Sequence, residues 1–434
     1  MTSTGLSKDA RAALLSRMAG RGGAPAPAVA AQPASARDFA TLPAAREIAT
    51  IRATAAAAGV SNSLFRTHEG IAGGHTRIGN RDYVNYASYN YLGLNGDARV
   101  AAAASDAIRR YGVSASASRL VSGERPLHAA LEARLAANYG VEDAITFVSG
   151  HATNVTVIGH LLGPGDLVVH DQYVHNSGTE GVRLSGAKRV AFPHDDWQAA
   201  DAAFRAERSR HNRALLLIEG HYSMDGTVPD LARYVEIARR HDAWLMVDEA
   251  HALGVVGATG RGSFEASGIA GADVDIWMGT LSKTLCACGG YIAGSHALVD
   301  MLRHSAPGFV YSVGLSPPLA AAAETCLRLM QEEPWRVERL QRNATLLRDG
   351  ARQAGFDVGT SAGVGIVPVI LGASMRAGRV SDLLFERGVN AQAIVFPVVP
   401  DNAARVRFFL SAEHTEADIA ATLDALKDAV AASG

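Results

Sequence analysis

An α/β fold built on a mostly parallel sheet is what this sequence predicts, and three observations predict it. Seven short apolar runs recur through the middle of the chain, and helical patterns separate them. The runs are continuous rather than alternating, as strands become when helices cover both faces of their sheet. The seven are Ala144–Val148, Leu167–His170, Arg189–Phe192, Ala214–Glu219, Trp244–Asp248, Asp275–Met278 and Gly290–Ala293. Leu127–Tyr139, Trp197–Ser209 and Leu231–His241 carry the helical period between them. After Pro317, Leu319–Met330 and Arg336–Ala354 read as long helices leading away from this sheet. Gly365–Leu371 and Val406–Ser411 read as strands of a second sheet, with a closing helix from Glu416 to Ala431. The expected division is an extension over residues 1–40, an N-terminal segment over 41–95, a large domain over 96–318 and a smaller C-terminal α+β domain over 319–434.

The extension differs from the rest. Ser7 is placed to cap a short amphipathic helix from Lys8 to about Met18, which Gly20, Gly22 and Gly23 end. An Ala/Pro-rich linker, Ala24–Arg37, follows. Its Arg- and Ser-containing, acid-poor character also resembles a transit peptide, while the missing apolar core region excludes a secretory signal.

Composition narrows the function. Against 43 acidic residues stand 41 basic ones, a formal charge of −2, which removes the basic stripe of a nucleic-acid binder and the charge excess of a disordered chain. No run of about 18 uninterrupted apolar residues predicts a transmembrane helix. The three cysteines, Cys286, Cys288 and Cys326, are too few for a disulfide framework, so a reducing cytoplasm is expected. The C-x-C pair has no neighbouring Cys or His set, so no metal is expected.

The chemistry concentrates at strand ends. The run Trp244–Asp248 delivers an acid at its carboxyl end, the edge where open α/β sheets bind ligands, and His251 follows three residues on. Asp248 alone would read as a helix cap. A second strand ends in Gly279-Thr280-Leu281-Ser282-Lys283-Thr284, a lysine among hydroxyls. Pyridoxal phosphate needs both groups: an acid for its pyridine nitrogen, a lysine for its aldehyde, and hydroxyls with backbone N–H groups for its phosphate.

From Tyr83 to the C-terminus the sequence resembles the α-oxoamine synthases, pyridoxal-phosphate enzymes that include serine palmitoyltransferase and 8-amino-7-oxononanoate synthase. The matching motifs are Ser88–Leu94, Ser118-Arg119 with Ser122-Gly123, His128 with Leu131-Glu132, Phe147–Asn154, Glu219–Gly226, Asp248–His251, the lysine segment and Arg405-Val406-Arg407. The resemblance implies a fold-type I transferase with a seven-stranded, mostly parallel sheet. It assigns catalysis to Lys283, Asp248, His251 and His175, with His175 stacking on the pyridine ring. It assigns cofactor binding also to Gly150, His151, Ser223, Thr280 and Ser312. Asn90, Ser118 and Arg407 would contact substrate, Arg407 through the amino-acid carboxylate. The implied reaction condenses a small L-amino acid with an acyl thioester, carried on CoA or an acyl-carrier protein, with loss of CO2. A homodimer is implied, because the family builds each site from two subunits.

Three positions depart from the family pattern. Ala117 stands where a glycine usually precedes the Ser-Arg pair, so a left-handed backbone there would be strained. Val395, twelve residues before Arg407, replaces a mobile carboxylate-binding arginine of serine palmitoyltransferase-like members. Tyr311-Ser312-Val313 offers Ser312 where two polar residues would reach the neighbouring subunit's phosphate. Ser118 in place of threonine leaves room for a Cβ and favours alanine or serine over glycine. Several segments also resemble members from polyketide or fatty-acyl pathways, and the amphipathic helix before its linker suits docking to a carrier protein. The competing readings are a fold-type I aminotransferase or decarboxylase, and a non-catalytic partner subunit of a synthase complex.

Overall fold

The computed structural model describes residues 37–57 and 64–433, which divide into two units at Gly59/Val60. The helix expected over Lys8–Met18 lies outside the described residues. In the first unit Asp38 caps a single turn, Phe39–Thr41, by accepting the Ala40 N–H at 2.9 Å. A helix follows from Pro43 to Ala57 with no buried residue on any face.

The second unit is built on three sheets. β1 (His68–Glu69), β2 (His75–Ile78) and β3 (Arg81–Asn85) form an antiparallel meander. The main sheet comprises β4 (Asp143–Phe147), β5 (Leu167–Asp171), β6 (Lys188–Phe192), β7 (Ala214–Glu219), β8 (Trp244–Asp248), β9 (Ile276–Thr280) and β10 (Gly290–Gly294). Its strand order is β4-β10-β9-β8-β7-β5-β6. β11 (Ile366–Gly372), β13 (Gln392–Ile394) and β14 (Ala404–Phe409) make a third, antiparallel sheet, and β12 (Val389–Asn390) pairs parallel with β3. All seven runs read as main-sheet strands are strands. Every residue of β5, β7, β9 and β10 is buried, the reason their sequences do not alternate.

β10 is the one antiparallel strand of the main sheet. Only residues 281–289 separate it from β9, too short a link for the crossover of a dozen or more residues that parallel neighbours require. The chain therefore turns straight back, and that turn carries Lys283. The remaining parallel strands alternate with helices such as Gly150–Leu161 and Leu231–Arg240, so β5, β7, β8 and β9 all release their chemistry at one edge. The meander and β12, unrecognised from sequence, are short and mostly polar; their tie is the parallel pairing of Val84 and Asn85 with Val389 and Asn390. No helix among the described residues is long and apolar enough to cross a membrane.

Candidate active site

Glu219 and Asp248 end β7 and β8 side by side, and Thr280 ends β9 two residues beyond Met278, the partner of Asp248. Asp248 is buried, and its two oxygens are separately held: Oδ2 accepts from Asn154 Nδ2 at 2.8 Å and Oδ1 from the Ala250 N–H at 2.9 Å. Asn154, on the Gly150–Leu161 helix, also donates to Ser177 Oγ at 2.9 Å. Ser177 Oγ in turn meets His175 Nδ1 at 2.8 Å, and the His175 N–H donates to Glu219 Oε1 at 2.6 Å. A single chain of hydrogen bonds therefore runs from Asp248 to His175.

Burial dominates the electrostatics. Lys283 is brought down to about 8 by burial, against the pull of Asp248 and Glu219. Its Nζ lies 5.6 Å from the centre of the Tyr89 ring. Burial, aided by Asp248, pushes the Glu219 carboxyl well above the usual carboxylate range. It likewise holds His175 low, opposed by Asp248, and His251 far below the ordinary imidazole value, with the Lys283 charge adding to the latter effect. Both rings are neutral at pH 7. His251 Nδ1 meets the Tyr91 hydroxyl at 2.7 Å, and its ring lies parallel to Phe409 at 5.9 Å.

Arg407, on β14, lies with its guanidinium 4.3 Å from the centre of the Phe409 ring and donates through Nη1 to the Ser223 carbonyl at 2.8 Å. Its Nε is buried without a partner, a donor left over for an anion. Thr280 Oγ1 donates to the Gly289 carbonyl at 3.0 Å and meets Ser282 Oγ at 2.7 Å. A Cβ on Gly150 would stand 2.7 Å from Thr280 Oγ1, so glycine is what lets this helix start approach the hydroxyl. Asn90, Ser282 and Lys283 line one cavity of about 330 Å³ with Ser88, Tyr89 and Cys286. A larger cavity, about 860 Å³, opens at the opposite edge among Trp244, Asp275 and Ile276, away from these groups.

The predicted residues thus fall into two groups. Lys283, Asp248, His175, His251, Thr280, Gly150, His151, Ser223, Arg407 and Asn90 gather at the strand ends; the His151 and His175 rings are 6.3 Å apart, edge to face. Ser118 and Ser312, both half-buried, stand apart from that group, and Ser118 Oγ donates to the Val310 carbonyl at 2.7 Å. The strain expected at Ala117 is not found there. The left-handed residue of that loop is Ser116, φ +58°, one position earlier, so alanine is tolerated. Val395 is half-buried against the core. Four residues were missed from sequence: Glu219, quoted within a motif but given no role, Asn154, Tyr91 and Phe409. Asn154 and Tyr91 also lie within the quoted motifs, and Glu219 is a polar residue ending an otherwise apolar run.

A phosphate-bearing pyridine aldehyde fits these residues: an acid fixed by two donors, a buried lysine of lowered pKa, and a strand-end hydroxyl beside a helix start whose first N–H groups suit an anion. Residues 81–426 match the family described as aminotransferase class I and II. The 8-amino-7-oxononanoate synthase of Geobacter sulfurreducens is 41% identical over 363 residues, 83% of this chain and 92% of that protein. The enzyme of the same name from Symbiobacterium thermophilum is 39% identical over 342 residues, 79% and 87% of the two chains. Among solved structures, Sphingomonas wittichii serine palmitoyltransferase superposes with a TM-score of 0.87 at 30% identity, covering 92% of this chain and 99% of its own. An SPT structure with its PLP internal aldimine gives 0.86 at 28% identity, covering 92% and 100%.

Fold and site define a pyridoxal-phosphate-dependent transferase of fold type I. The chain belongs to the aminotransferase class I and II family and, within it, is an α-oxoamine synthase.

Proposed function

We propose that this enzyme joins a small L-amino acid to an acyl thioester, releasing CO2 and the free thiol and leaving an α-amino ketone. The observation that carries the reading is a buried arginine with an unpartnered Nε, Arg407, near enough to the buried Lys283 for its charge to help lower that lysine's pKa, with Asp248 fixed beside them. When bound, pyridoxal phosphate supplies an electron sink for the pair left as a bond to the amino-acid Cα breaks. Arg407 grips the amino-acid carboxylate in a charge-assisted pair, its unpartnered Nε giving a second donor. Lys283 Nζ, neutral at mildly alkaline pH, takes the Cα proton. Asp248, fixed by Asn154 and Ala250, keeps a proton on the pyridine nitrogen, and His175 covers the ring face. With Nδ1 taken by Tyr91, His251 has Nε2 to offer a phenolic oxygen. Gly150, His151 and Thr280 hold the phosphate, and Ser312 reaches that of a second copy. Asn90 contacts substrate, and Ser118, which lies outside the gathered residues, does so in the site of a second copy, with alanine or serine preferred to glycine.

A second copy is supported by a patch of exposed apolar side chains. Val113, Val121 and Tyr311 are 68%, 82% and 87% exposed, and their loops are tied together by the Ser118–Val310 and Ser316–Val113 bonds. The donor is acyl-CoA or an acyl-carrier protein. Mass spectra of products from a matrix of amino acids and acyl thioesters test the reading: an α-amino ketone with free thiol is expected. A keto acid formed without thiol would transfer the chain to the aminotransferase reading.

A further inference from the structure

A second buried polar cluster lies beside the site and has no part in the chemistry above. His194, just past the end of β6, presents Nδ1 to Asp171 Oδ2 at 3.0 Å and Nε2 to Asp225 Oδ2 at 2.8 Å. Its ring is packed face-on against Tyr173 at 4.6 Å and edge-on against Tyr222 at 4.5 Å. Both nitrogens face carboxylates, so both carry protons and the ring is a cation between two anions. Burial alone would lower its pKa, but the bonds to Asp171 and Asp225 push it up to about 10.

The two carboxylates belong to different walls of the site. Asp171 ends β5 and accepts the Tyr173 and Asp195 N–H groups, both at 2.7 Å. That turn leads directly into His175. Asp225 accepts the Thr227 N–H at 3.1 Å and closes the turn containing Ser223 and Met224. The carbonyls of those two residues receive Arg407 Nη1 at 2.8 Å and Arg405 Nη1 at 3.0 Å.

We propose that His194 is a positioning residue, a charged strut that fixes the turn carrying His175 against the turn that orients Arg407. It touches neither substrate nor cofactor and acts through Asp171 and Asp225. The proposal rests on the reading that Arg407 binds the amino-acid carboxylate. Loss of the imidazolium would let the Ser223–Met224 turn drift, and the amino acid would suffer while the thioester would not.

The test is a titration of holoenzyme with L-alanine or L-serine, followed by the cofactor's absorbance, for H194Q and D225N. Each should move the midpoint at least tenfold higher while the thioester KM stays within about twofold, a split that general loosening would not produce. Folded variants with unchanged midpoints, or with both constants raised alike, would overturn the strut. A measurement on the unaltered holoenzyme guards against variants that fail to fold. Nitrogen-15 shifts of the His194 ring at pH 8 should show both nitrogens protonated, and a neutral ring there would equally overturn it. Failure of the condensation reading is separately visible, as a normal amino-acid titration without ketone product.

Discussion

At the residue scale, the site depends on environment more than on residue type. Lys283 and Arg407 were legible because family motifs surround them; the reason Lys283 is useful, its depressed pKa, was not, since it comes from burial among β7, β8 and β9. Asp248 was legible as an acid at a strand end, but its anchors Asn154 and Ala250 meet it only in three dimensions. His194 gave no signal at all, its partners lying 23 and 31 positions away on either side. An ordinary lysine titrates at 10.5 and this one at about 8. Between those values the unfolded chain binds more protons, so the cofactor-free protein gains stability from this group as pH rises and loses it as pH falls through about 8. Covalent capture of pyridoxal phosphate, followed by absorbance, should accordingly accelerate through pH 8; a midpoint near 10 would contradict the burial argument. Arg407→Ala should raise the amino-acid KM about 10- to 100-fold, the cost of losing a charge-assisted pair, with far less effect on the thioester KM. Steady-state kinetics with each substrate varied in turn checks this.

At the scale of elements, the strands buried throughout, β5, β7, β9 and β10, were readable because burial on both faces removes alternation; β6, at the sheet edge, is largely exposed. β10 was readable as a strand, whereas its direction follows from the length of the link that precedes it. The short polar strands β1, β2, β3 and β12 leave no such trace, since their partners are far apart in sequence. The start of the Gly150–Leu161 helix is where an element meets the site. Gly150→Val would drive side-chain carbons into Thr280 Oγ1 and Cβ, 2.7 and 3.0 Å from the Cβ position, and should weaken cofactor retention at least tenfold in equilibrium dialysis. Retention equal to that of the unaltered protein would show that this helix start does not hold the phosphate. Leu216→Ala in β7, fully buried, should cost about 2–5 kcal/mol in chemical denaturation without changing substrate preference.

At the scale of the whole molecule, a net charge of only −2 conceals a site with two cations, Lys283 and Arg407, aimed at anions. The sheet edge that gathers them was predictable from the α/β pattern, as was the family from its motifs. Which residues stay outside that gathering was not: Ser118 and Ser312 are half-buried in the loops that also carry the exposed Val121 and Tyr311. Val121→Asp, harmless to a side chain already 82% exposed, should shift sedimentation toward monomer and cut turnover; an unaltered dimer would move the interface elsewhere.

The central claim is that Lys283 drives carbon–carbon bond formation coupled to loss of the amino-acid carboxylate. Carboxyl-labelled alanine and serine, each incubated with acyl-CoA, provide the direct measurement. Labelled CO2 and free thiol should appear in equal amounts with at least one of them, and both should vanish in Lys283→Ala. Thiol release without labelled CO2, or either product persisting in Lys283→Ala, would contradict it.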